Sequence, residues 1–165
     1  MSAGRADNSA STVWFRVSTD HTISILYQMW YRLGYGRDLK PDRRHPMEHV
    51  GFDPLRIVGS VHTAAYNHTI GTHKSANVTV ANPWDDFHVY AMEWYADRID
   101  IFVDGQKYFS FRNEGTGSAT WPFDKPQYLL INLAIGGSWG GQKGIDDARF
   151  PHRYVVDYVR VYQQR

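Results

Sequence analysis

The stretch FHVYAMEWYADRIDIFVDGQKYFSF, residues 87–111, decides the fold. Phe87, Val89 and Ala91 alternate with His88, Tyr90 and Met92, the period of two expected of a strand. Ile99, Ile101 and Val103 alternate in the same way with Asp100, Phe102 and Asp104. Asp104-Gly105 then offers the two positive-φ residues of a tight hairpin, and Lys107–Phe111 runs back. β-branched and aromatic residues dominate and no proline interrupts, so the stretch reads as a three-stranded antiparallel meander.

Working outward, the same signals recur. Arg56–Thr63 and Asn77–Ala81 read as strands, and Pro83-Trp84-Asp85-Asp86 turns into the meander. After it comes a long loop, residues 113–125, with Gly115, Gly117 and Trp121. Tyr128–Ile135 is apolar on both faces except at Asn132, as a central strand would be. A glycine loop, residues 136–144, holds Trp139, and Tyr154–Tyr162 is the last strand. Many short strands with Gly, Pro and Asp turns, and no helical period, predict an all-β antiparallel sandwich in one domain of 165 residues.

Composition narrows the function classes. A net charge of +1 gives no argument for nucleic acid or a membrane surface as partner. The absence of cysteine excludes disulfides and thiolate chemistry. Met1–Ser11 is polar, so no signal peptide is visible, and the apolar run 23–33 is too short to span a bilayer. Residues 1–46 look unlike the rest: rich in Arg, without Glu, at about +3 against about −2 for residues 47–165. Within them Val13–Val17 reads as a short strand, Thr22–Tyr35 as a strand or a poor helix, and residues 37–46 as a charged loop. The segment as a whole is expected to be a poorly ordered surface arm.

Chemistry has few places to sit. Residues 136–141, GGSWGG, lack a phosphate-binding spacing and present a Trp either beside a groove or as turn packing. His62, His68 and His73 lie five or six apart, and no histidine spacing matches a zinc motif. The chain holds only three glutamates, Glu48, Glu93 and Glu114; Glu93 sits within the meander, Glu114 in a loop, and Glu48 at a strand start.

The runs MEHVGFDP, GSVHTAAYNHTIGT, DDFHVYAMEW, DRIDIFVDGQKYF, NEGTGSATWPFDKPQYLLINLAIGGSWGG, GIDDARFP and VVDYVRVYQ resemble, in order, the C-terminal half of family 16 glycoside hydrolases of the laminarinase type. The resemblance covers residues 47–165 and implies a concanavalin A-like jelly roll with a β-glucan cleft across one sheet. It also implies retaining hydrolysis by two glutamates, with Glu48 as acid/base. His62, Trp121, Asn132 and Trp139 match positions on the substrate side. Asp157 matches an acid that helps to hold a structural calcium in the family; no cofactor is required. Members are often secreted.

The departure falls on the catalytic strand, which in the family reads E-x-D-x-x-E or E-x-D-x-E. Counted back from Glu48, the nucleophile belongs at Arg43 and the assisting acid at His45. Neither side chain replaces a carboxylate. Asp42 is six positions from Glu48, a spacing the family does not use. The switch at residue 46 is what a reading-frame shift or a misjoined start produces. The expectation is therefore an incomplete jelly roll, lacking strands from one side of both sheets and prone to associate through exposed edges. Its function is glucan hydrolysis with little or no activity, or else non-catalytic glucan binding, or a structural remnant.

Overall fold

The computed structural model describes residues 11–19, 25–30, 44–50, 53–81, 83, 86–125, 128–133, 135–137, 141–145, 147–151 and 153–163. Ten strands account for most of them: β1 (Ser11–Thr19), β2 (Ile25–Trp30), β3 (Arg44–Val50), β4 (Asp53–Val61), β5 (Lys74–Thr79), β6 (His88–Trp94), β7 (Arg98–Val103), β8 (Gln106–Arg112), β9 (Tyr128–Leu133) and β10 (Tyr154–Gln163). They form two five-stranded sheets, ordered β10-β1-β6-β7-β8 and β5-β4-β3-β2-β9. The result is the expected jelly-roll sandwich.

The meander is β6-β7-β8. Asp104 (φ 48°) and Gly105 (φ 79°) make its tight turn, which tolerates a non-glycine residue only where a short polar side chain stabilises it. Asp104 does so across the strands: its carboxylate accepts from the Val89 amide at 2.8 Å and pairs with His88 Nδ1 at 2.6 Å. Tyr90, Met92 and Trp94, with Ile99, Ile101 and Val103, face inward and meet Ile57 and Val61 of the second sheet in one core.

The described parts of residues 1–46 are strands. β1 lies between β10 and β6, and β2 between β3 and β9, so this segment supplies an interior strand to each sheet. The reason is local. Val13, Phe15 and Val17 take the register positions opposite Met92, Tyr90 and His88, while Thr12, Trp14 and Arg16 alternate with them. Of the two readings of residues 22–35, the strand holds, over Ile25–Trp30.

Two bulges tune the inner faces. Between β7 and β8 the register slips, Ile101 pairing with Phe109 but Phe102 with Lys107, which leaves Tyr108 as the extra residue. Its ring reaches the other sheet at Gly59, where a Cβ would stand 2.9 Å from Tyr108 Oη. Between β1 and β10, Asp157 is the extra residue, because Arg16 pairs with Tyr158 and Val17 with Val156. This keeps Val156 on the same side as Val159 and Val161. All three are nonetheless about two-fifths exposed, on the edge strand of the first sheet. No helix among the described residues is long and apolar enough to cross a membrane.

Candidate functional site

The second sheet carries the site. Ile57 and Val61 of β4 face the core, and Gly59 meets Tyr108, so Val58, Ser60 and His62 belong to the opposite set. Antiparallel pairing carries that assignment across the strands. Asn132, Leu26, Glu48, Val58 and Asn77 occupy one transverse row of register positions, in the set that alternates with Ile57 and Val61. Leu130, Gln28 and Pro46 form the next row, and Tyr128, Trp30 and Arg44 the one after. The structure thus brings Glu48 and Asn132, two of the sequence-derived candidates, onto one row.

The same register fixes which positions of β3 alternate with Glu48. Pairing of β2 with β3 runs without a slip from Ile25–His49 to Trp30–Arg44, so no bulge interrupts residues 44–49 on that side. The positions sharing Glu48's face are therefore Pro46 and Arg44. His45 falls in the alternate set with Met47 and His49, and Arg43 lies outside the described residues, as do Asp42 and Trp139. On either count, the positions two and four, or three and five, before Glu48 hold no carboxylate.

The surroundings of two other candidates, Trp121 and His62, are defined by ring contacts. Trp121 is in the core, 5% exposed, with its ring stacked on Phe111 at 5.7 Å and met edge-on by Phe123 at 5.2 Å. Trp121-Pro122-Phe123 fills the end of the sandwich, which leaves that indole no free face for a sugar. His62 is 8% exposed, stacked at 5.9 Å on His73 and 3.5 Å from His68 through their Nδ1 atoms. The fold gathers these histidines because Asn67 caps a 3-10 turn at His68–Ile70 and the chain then returns into β5. Sequence spacing alone gave no sign of this. Among the described residues, no group of three His, Asp or Glu side chains is placed to hold a metal ion.

An all-antiparallel sandwich of two five-stranded sheets, with Glu48 on the central strand of the second, defines the jelly-roll class of folds. The glycosyl hydrolases family 16 model matches residues 46–160, and the chain belongs to that family. A β-glucanase of Rhodothermus marinus is 47% identical over 139 residues, covering 80% of this chain and 49% of that protein. The X-ray structure of the laminarinase from Rhodothermus marinus superposes with a TM-score of 0.87 at 39% identity, covering 98% of this chain and 66% of that one. A non-specific endo-β-1,3(4)-glucanase of the same family superposes at 0.83 with 44% identity, over 94% and 58%. The chain spans about half the length of the curated β-glucanase it matches.

Proposed function

We propose that this chain recognises β-1,3-glucan on the face of the second sheet that carries Glu48 and Asn132, and that it hydrolyses the polymer little or not at all. One observation carries the reading: among the described residues, the strand face that Glu48 shares by register holds Pro46 and Arg44 and no second carboxylate. Retaining hydrolysis needs two carboxyl groups about 5–5.5 Å apart, one to form the glycosyl-enzyme and one to protonate the leaving oxygen. Glu48 supplies only the second role, and general acid catalysis alone contributes about 10²–10⁴-fold, far short of the double displacement. An arginine is permanently charged and non-nucleophilic, so Arg43 or Arg44 can bind hydroxyls but cannot take the sugar. The polar row Asn132–Glu48–Asn77 supports orientation of a glycan by hydrogen bonds.

The test is laminarin binding measured alongside release of reducing ends. Binding without release supports the reading. Release that vanishes in Glu48→Gln establishes an active enzyme instead, and Asp42→Ala then asks whether Asp42 is its nucleophile. No binding and no release leaves the structural-remnant reading.

A further inference from the structure

The outer face of the first sheet carries an exposed aromatic platform that the cleft does not use. Two adjacent rows build it. Arg160, Trp14, Ala91, Phe102 and Lys107 pair across β10, β1, β6, β7 and β8. Tyr162, Thr12, Glu93, Asp100 and Ser110 form the neighbouring row. Trp14 is 42% and Tyr162 51% exposed, with ring centroids 6.2 Å apart and planes inclined at 70°. Ala91, buried at 7% exposure, lies between Trp14 and the partly exposed Phe102, which are two strand spacings apart, about 10 Å.

We propose that this face is a second saccharide-binding surface, taking the pyranose rings of a β-glucan chain on Trp14 and Tyr162. It rests on the reading that glucan is the chain's ligand. The pattern favours a sugar over a protein partner. A pyranose presents an apolar C–H face and a rim of hydroxyls, and here each aromatic ring stands beside a hydrogen-bonding residue. Thr12 and Glu93 lie in the row of Tyr162, and Arg160 lies opposite Trp14 with its guanidinium 4.3 Å over the Tyr158 ring. The inclination of the two rings suits successive sugars of a twisted chain, such as a β-1,3-glucan, better than a flat ribbon. Two sites on opposite faces would let one molecule hold two strands of a polymer, raising retention well beyond either affinity.

Titration of the full chain with laminarihexaose, read as the number of sites, tests this. Two sites in the wild type and one in W14A/Y162A is the expected result, with retention on insoluble β-1,3-glucan falling about tenfold or more in the variant. One site in both proteins overturns the proposal and leaves the cleft reading standing. One site that disappears in W14A/Y162A keeps the platform and overturns the cleft. No binding by the wild type overturns both. If the double variant folds poorly, Tyr162→Ser alone, which leaves Trp14 and the strand pairing in place, must weaken one of two sites by about tenfold. If it instead abolishes a concentration-dependent dimer while saccharide binding is unchanged, the platform is a protein contact and the proposal is wrong.

Discussion

Glu48 and Asn132 stand on one transverse row of the second sheet, separated only by Leu26. They are about 10 Å apart by strand spacing, a distance one or two sugar residues bridge. The row therefore joins an acid and an amide from strands eighty-four positions distant in sequence.

That relationship predicts a binding phenotype for Asn132. Asn132→Ala removes a two-donor, two-acceptor group from the row without touching the core set of β9. Laminarin affinity should fall about fivefold, the loss of one or two net hydrogen bonds, with the melting temperature unchanged. Unchanged affinity would remove Asn132 from the site.

Between the sheets, Gly59 and Tyr108 predict a stability phenotype. A Cβ at Gly59 would meet Tyr108 Oη at 2.9 Å and Cε2 at 3.0 Å, and the hydroxyl is buried, so the ring has little room to retreat. Gly59→Ala should cost about 1–3 kcal/mol. That hydroxyl also has no hydrogen-bond partner among the described residues, and burial pushes its pKa far above the ordinary tyrosine value. Tyr108→Phe should therefore be neutral or stabilising by about 1 kcal/mol, and should relieve part of the Gly59→Ala cost. Denaturant unfolding of the two single variants and the double variant measures both effects.

Asp100 predicts an acid-side loss of stability. Burial by itself would raise its carboxyl, but hydrogen bonds from Ser110 and Arg98 and the charges of Lys107 and Arg98 outweigh it and hold the pKa below the ordinary value. Arg98 Nε lies at 3.1 Å and Lys107 Nζ at 3.6 Å. A depressed carboxylate stabilises the fold above its unfolded pKa, about 3.9, and that contribution fades as pH falls through the lower folded value. Asp100→Asn should cost about 1–3 kcal/mol at pH 7, and the gap to wild type should narrow below about pH 4. A gap constant with pH would mean that the charge contributes nothing.

On the edge of the first sheet, β10 predicts self-association. Val156, Val159 and Val161 are exposed on the inner side of β10, the edge strand of the first sheet among the described residues, the geometry that invites strand addition. Sedimentation should show concentration-dependent oligomers, and Val159→Lys should shift them toward monomer. A monodisperse wild-type monomer contradicts this.

The parts of this fold that were legible in the sequence are those whose signals are local. Asp104-Gly105 between alternating runs specifies the hairpin, and the meander follows from it. Residues 1–46 misled because Arg37, Lys40, Arg43 and Arg44 dominate their composition, while the useful signal was the short alternation of Val13, Phe15 and Val17. Trp121 misled because Gly115 and Gly117 mark a surface loop, although Trp121-Pro122-Phe123 is an apolar plug. The bulges at Tyr108 and Asp157 had no sequence signal, since an extra residue is defined only against a partner strand. For the same reason, the face partners of Glu48 emerged only once the register of β2 with β3 was fixed. The platform of Trp14 and Tyr162 joins residues from the two ends of the chain, which no local pattern connects.

Reducing-end release from laminarin by the purified chain, with bound laminarin measured in the same samples, separates binding from hydrolysis. Saturable binding with release at or near the uncatalysed background, unchanged in Glu48→Gln, is the expected result. Release well above background in the wild type, abolished by Glu48→Gln, would contradict it and require a second carboxylate facing Glu48.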